Sequence, residues 1–209
     1  MIYLIDSVTT NKTDFFREPS HFTFLKDHAL PDLRHRGVRS VRAWSSACST
    51  GAEPYTMAIV LEEFTSQYSD IGYSILATDL STDVLQVAWK GIYSTEMVDP
   101  IPLDLRQRYL MQSVDRRKRE VRIIPRLRSK VGFARFNLMN QRYEIGEPVH
   151  MIFCRNVLIY FDKETQGDVL TRLCDCLAPG GYLFIGHSET TGGVELPLKS
   201  VANTVFQKL

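Results

Sequence analysis

The stretch Val41-Arg42-Ala43-Trp44-Ser45-Ser46-Ala47-Cys48-Ser49-Thr50-Gly51-Ala52-Glu53-Pro54-Tyr55 decides how the chain is read. A short apolar run passes into small residues and turns at Gly51. Tyr55 to Phe64 then has the composition of a helix, with Pro54 in its first turn, where a missing N–H costs nothing. Strand, small-residue turn and helix build the pocket at the carboxyl end of the first strand in a doubly wound α/β fold. Small side chains admit a ligand to the backbone, and the helix start offers unpaired N–H groups.

Working outward, Tyr73 to Asp79 reads as a second strand ending in a carboxylate. Asp79 either accepts hydrogen bonds from ribose hydroxyls or caps the helix of Ser81 to Trp89, work that Ser81 or Thr82 does equally well. Both readings stand. Val131 to Leu138 is a strand whose Asn137 either caps a turn or reads an adenine edge. Val149 to Cys154 is almost continuously apolar, as a central parallel strand requires. Arg155, Asn156 and Tyr160 follow at its mouth, with Tyr160 aimed into the pocket or packed on a helix. Thr165 to Leu177 is a helix ended by Ala178-Pro179-Gly180-Gly181, and Tyr182 to Gly186 a strand. For His187 beyond it, structural hydrogen bonding is favoured over acid–base work. Val201 to Lys208 closes the sheet as an antiparallel strand at or near its edge. Ahead of all this, Asn11 or Thr13 is expected to cap a short helix limited by Pro19, with Arg17 snorkelling from a core edge.

Between Gly91 and Lys130 the alternation lapses. Leu103 to Met111 reads as a helix and Ser113 to Pro125 as a projecting hairpin, within an inserted β-subdomain spanning about 95–130. From Arg106 to Lys130 there are ten Lys/Arg against two acids, enough to attract an acidic partner. Aromatic residues are sparse there, which argues against single-stranded nucleic acid.

The 209 residues carry 44% hydrophobic and 23% charged side chains and a net charge of +1. That is the composition of one globular domain, without a global electrostatic case for nucleic acid or membrane. No apolar run reaches the roughly 18–20 residues of a membrane span, and the start lacks a secretory pattern, so a cytoplasmic protein is expected. The spacing of Cys48, Cys154, Cys174 and Cys176 fits neither zinc nor a redox pair, so no metal and no disulfide are expected.

The candidate ligand residues Gly51, Glu53, Asp79, Asn137, Arg155 and Asn156 all follow strands. A G-x-G-x-x-G turn is absent, which disfavours pyrophosphate. A nucleoside with a cationic end for Glu53, such as S-adenosylmethionine, fits better.

Five blocks carry a more specific resemblance: Thr10 to Pro19 (TNKTDFFREP), Cys48 to Tyr55 (CSTGAEPY), Ala77-Thr78-Asp79, Phe153 to Phe161 (FCRNVLIYF) and Gly186-His187-Ser188-Glu189. In this order they resemble the CheR family of chemotaxis receptor methyltransferases across nearly the whole chain. The resemblance implies a class I S-adenosylmethionine-dependent methyltransferase, Rossmann-like, with a mainly parallel sheet and helices on both faces. It further implies methylation of glutamate side chains on receptor cytoplasmic helices, giving methyl esters and S-adenosylhomocysteine. Residues 1–20 would be linker and ligand-binding segment and 21–209 the methyltransferase domain, with Met1 to Thr9 leading out of the family's N-terminal helical domain.

By the same resemblance, Asn11, Thr13, Arg17, Glu53, Asp79, Asn137, Leu138, Arg155 and Asn156 line the S-adenosylmethionine site. Arg17 and Tyr160 lie nearest the reacting carboxylate, Asp79 takes the ribose and Glu53 the methionine amino group. Two departures stand out. Ala52 replaces the first Glu of the family's Gly-Glu-Glu-Pro-Tyr. The tip from Asp115 to Glu120 lacks the glycines of members that tether to a receptor peptide, although Arg116, Arg117, Lys118 and Arg119 are suited to receptor docking. Other readings are a methyltransferase of another protein or RNA, and a non-catalytic S-adenosylmethionine-binding scaffold.

Overall fold

The computed structural model describes residues 13–115, 117–191 and 193–209. Residues 1–12, which include Asn11, and residues Arg116 and Gly192 lie outside them. The strands in chain order are β1 (Ser40–Ser45), β2 (Gly72–Asp79), β3 (Ile92–Ser94), β4 (Leu110–Gln112), β5 (Glu120–Ile123), β6 (Val131–Arg135), β7 (Val149–Cys154), β8 (Leu177–Ile185), β9 (Leu198–Ala202) and β10 (Val205–Lys208). The helices are α1 (Pro19–Phe24), α2 (Leu30–His35), α3 (Ala52–Thr65), α4 (Thr82–Lys90), α5 (Leu103–Tyr109), α6 (Pro125–Arg128) and α7 (Lys163–Cys176).

Seven strands form one sheet in the order β6-β2-β1-β7-β8-β10-β9. β1 pairs in parallel with β2, from Ser40 opposite Gly72 to Ser45 opposite Ala77, and with β7 on its other side, from Ala43 opposite Met151. β6 and β8 extend the parallel run, whereas β10 is antiparallel to both β8 and β9. The chain moves one way from β1 through β2 to β6, then returns at β7 to the opposite side of β1. That reversal opens a crevice beyond the carboxyl ends of β1 and β7.

Alternate side chains of the central strands enter different cores. Val41, Ala43, Met151 and Phe153 pack with Phe22, Leu25 and Tyr55. Trp44, Ile152 and Cys154 pack with Val169, Leu170 and Leu173 of α7. Both faces of the sheet are therefore covered, which explains the nearly continuous apolar run of β7. Helix α3 is buried on nearly every side, because the small sheet β3-β5-β4 adds Tyr93, Val121 and Ile123 to the same core. The two acids near its carboxyl end also find partners: Glu62 accepts from the Tyr73 hydroxyl at 2.8 Å, and Glu63 from Arg108 and Tyr109.

Several elements differ from the sequence reading: the helix read as far as Met111 stops at Tyr109, where Leu110 begins β4. Pro19 opens helix α1 instead of ending an earlier one, a position where its fixed φ is already helical. Between α1 and α2 a π-turn, Leu25–Ala29, lets Leu30 N–H donate to Leu25 O. It lies just ahead of Pro31, which has no N–H to continue the regular ladder. The closing strand is a hairpin, with Thr204 in a left-handed conformation at φ 53 in its turn, so β10 lies inside the sheet and β9 at the edge. Strand β8 already pairs at Leu177 opposite Val149, then shifts register before Tyr182 opposite Met151. All four cysteines are buried and unpaired. Among the described residues no helix is long and apolar enough to cross a membrane.

Candidate functional site

The loops after β1, β2, β6 and β7 converge with the strap ahead of α1 on a cleft of about 760 Å³, a volume within the range of small-molecule sites. Thr13, Arg17, Glu53, Asp79, Asn137, Leu138, Arg155, Asn156 and Tyr160 all line it. Gly51 does not. It stands at the N-cap of α3 with φ 94, where a Cβ would meet Ala88 Cβ and Tyr93 Oη at 2.8 Å each. Its glycine character serves packing and turn geometry.

Arg155 is the buried hub, its side chain only 2% exposed. Nη1 donates to Glu53 Oε2 at 3.0 Å, Nη2 to Glu18 Oε2 at 3.0 Å and to the Arg17 carbonyl, and Nε to Glu18 Oε2 at 3.3 Å. Glu53 Oε1 accepts from the Ser45 hydroxyl at 2.7 Å. Glu18 Oε1 accepts from Asn156 Nδ2 and from the His187 N–H, each at 3.2 Å. Two carboxylates thus share one guanidinium. Burial pushes the Glu53 carboxyl above its ordinary value, against the pull of Arg155 and Ser45. Burial acts upward on Glu18 too, but Arg155, the His187 N–H and Asn156 bring it below its ordinary value. The two carboxylates diverge because Glu18 collects more hydrogen-bond donors than Glu53. With two acids to one base, the set has room for one further positive charge.

Asp79 Oδ1 accepts from the Ser81 N–H at 3.0 Å and Oδ2 from the Ser49 N–H at 2.8 Å. The side chain of Ser81 makes no cap bond at the start of α4, so Asp79 holds that turn while lining the cleft. Ser49 also lines the cleft, has φ 48, and its buried hydroxyl has no hydrogen-bond partner among the described residues. Asn137 Oδ1 accepts from the Met139 N–H at 2.9 Å, which realises the turn-capping reading and leaves its amide nitrogen for other work. Tyr160 ends a single 3-10 turn, Leu158–Tyr160, and is 47% exposed. It therefore stands at the cleft mouth and is not buried in helix packing.

Two acids were missed by the sequence reading. Glu18 is the first, hidden because its partners Arg155, Asn156 and His187 lie more than 130 residues away. Glu189 is the second: Oε1 accepts from the Val157 and Leu158 N–H at 2.9 and 2.7 Å, and Oε2 from the Asn156 and Gly186 N–H. It fixes the turn at Asn156, which has φ 58. A Cβ on Gly186 would meet Asn156 Nδ2 at 2.7 Å and Glu189 Oε2 at 2.8 Å, so the Gly-x-x-Glu spacing was the available signal. His187 Nε2 lies 3.2 Å from Ser20 Oγ, a structural contact as expected. Glu18, His21 and His187 bring potential metal-ligand atoms within 4.8 Å of one another, but Arg155 on the same Glu18 oxygen opposes a cation there.

Residues 11–206 match the family model of the CheR methyltransferase, SAM binding domain. The chain belongs to the CheR methyltransferase family. It is an S-adenosylmethionine-dependent methyltransferase of the class I fold. It is 40% identical over 199 residues to the chemotaxis protein methyltransferase of Borreliella burgdorferi, a match covering 92% of this chain and 69% of that protein. The chemotaxis protein methyltransferase of Escherichia coli is 40% identical over 202 residues, covering 97% and 68%. Chemotaxis protein methyltransferase 2 of Pseudomonas aeruginosa is 39% identical over 202 residues, covering 97% and 71%.

Proposed function

We propose that this CheR-family chain transfers a methyl group from S-adenosylmethionine to glutamate side chains of chemotaxis receptor cytoplasmic helices. The observation that carries the reading is one cleft at the strand switch point, combining the net-negative Glu18–Arg155–Glu53 set with Arg17 and an exposed Tyr160. The donor set fits the methyl donor. Glu53 and its surplus negative charge suit an α-ammonium group. Asp79, which accepts the Ser49 and Ser81 N–H groups, is a carboxylate of the kind that suits a ribose diol. The partnerless Ser49 hydroxyl supplies a further polar contact, and Asn137 and Leu138 form the wall for the base.

Bound S-adenosylmethionine supplies the methyl group in an already activated, sulfonium-linked form. The residues therefore have to align and desolvate the acceptor. A glutamate of pKa about 4.3 is ionised at neutral pH and requires no general base. Arg17 holds one oxygen of that carboxylate through its planar guanidinium while the other oxygen attacks. Tyr160 shapes the mouth and excludes water from the attacking oxygen. Alignment of this kind is worth several kcal/mol, up to about 7–11.

The receptor is expected to meet the tip between β4 and β5. Arg117 there lies 3.2 Å from Asp115, and Arg119 lies 3.4 Å from Glu96. Part of the tip's charge is thus already paired, with Lys118 exposed between them. The direct test is tritiated methyl transfer to a receptor cytoplasmic fragment followed by alkali. Carboxyl methyl esters release labelled methanol. Alkali-stable label would instead mean N-methylation, and donor binding without any transfer would mean a scaffold.

A further inference from the structure

We propose that Glu18 is a positioning residue for methyl transfer that acts through Arg17, its carboxylate locking the strap that carries Arg17 to the exit of β7. The proposal rests on the reading of Arg17 as the residue that holds the acceptor carboxylate.

The backbone on both sides of Arg17 takes a course that residues with a Cβ avoid. Phe16 has φ 53 and Glu18 has φ 57. Left-handed conformations are disfavoured for L residues and persist where surrounding contacts over-determine them, commonly at functional sites. On the Phe16 side the contacts are clear. Phe15 is 1% exposed within the core, and the Phe16 N–H donates to Thr56 Oγ1 at 3.1 Å. On the other side the hold is the Glu18 side chain. Its two oxygens take four bonds, from Asn156 Nδ2, the His187 N–H, and Arg155 Nε and Nη2.

Position also matters. Glu18 is the N-cap residue of α1, where an acidic side chain ordinarily turns back to accept from the first N–H groups of the helix. It makes no such bond. Its left-handed backbone sends the carboxylate to the β7 loop instead, and the helix start goes without a side-chain cap. Arg155 completes the clamp, since the Nη2 that holds Glu18 also donates to the Arg17 carbonyl. One buried guanidinium thereby grips the main chain of Arg17 and the side chain of the next residue. Without the carboxylate, the strap loses the four side-chain bonds that tie Glu18 to the β7 and β8 exits, and the Arg17 guanidinium loses its fixed origin in the cleft wall.

A double-mutant cycle separates positioning from general structural support. Turnover with the receptor fragment is measured for the unmodified protein, Glu18→Gln, Arg17→Ala and the double variant. S-adenosylhomocysteine binding and the thermal midpoint are recorded for each. Glu18→Gln should lower kcat about 10–100-fold, the range expected for a misplacement near 1 Å. In the Arg17→Ala background the same change should alter kcat by less than about twofold, because a residue acting through Arg17 has nothing left to act on. Equal fold-losses in both backgrounds overturn the proposal while leaving the Arg17 reading intact. Full turnover in Arg17→Ala overturns that reading and this proposal with it. Should Glu18→Gln fail to fold, Glu18→Asp, which keeps the charge but is one methylene too short to span both partners, takes its place in the cycle with the same expectations.

Discussion

Asp79 accepts two N–H groups from different loops, so removing its charge tests whether it serves the ligand or only the turn. An asparagine at this position keeps one acceptor and turns a donor toward the other N–H. Asp79→Asn should weaken S-adenosylhomocysteine binding about 10–100-fold, matching the 1.5–3 kcal/mol of a hydrogen bond to a charged acceptor. Titration calorimetry measures this, and unchanged affinity would leave Asp79 with the turn alone. Sequence order allowed both duties to be named, because an acid after a strand and two residues before a helix suits either. It gave no hint that Glu18, read only as part of a motif, would share Arg155 with Glu53. That pairing joins three residues from the strap, the start of α3 and the end of β7.

Among the elements, strands with apolar runs were legible together with their polar ends, since burial on both faces leaves a composition that local reading detects. The start of α1 was not. Proline signals both helix ends and helix starts, and only the packing of Phe22 and Leu25 into the core decides for the start. The basic tip is an element-level feature whose worth depends on screening. Neutralising Arg116, Arg117, Lys118 and Arg119 together should raise the apparent KM for the receptor fragment with little change in kcat. The unmodified protein's KM should itself rise with salt. The Asp115 and Glu96 pairings make the effect smaller than four free cations would give. A KM indifferent to both changes would remove the tip from the docking surface.

Across the whole molecule, the buried His21 links stability to pH. Its ring is 1% exposed, with Nε2 2.9 Å from Thr204 Oγ1, and burial together with the Arg155 charge lowers its pKa to about 4. The unfolded chain binds this proton near pH 6.5 and the folded chain does not, so stability is complete above about 6.5 and falls as pH drops toward 4. The loss from this group should reach about 3 kcal/mol. Glu18, whose carboxyl is held below its ordinary value, adds a further loss at lower pH as it is protonated. Urea unfolding at stepped pH should show the decline, and His21→Phe should flatten it between 6.5 and 4. A variant with the same slope would place the proton uptake elsewhere.

The sequence by itself determined the parallel α/β sheet, the turn at Gly51, the mouths of β2 and β7 and, through five ordered blocks, the family. Each of these is written in local periodicity or in short runs of residues whose chemistry depends on their neighbours in the chain. Only the tertiary structure decided that Gly51 serves packing while Glu18 and Glu189 hold the site together. Those duties rest on hydrogen bonds across more than 100 residues for Glu18 and about 30 for Glu189, and a side chain's long-range partner leaves no periodic trace in the sequence around it.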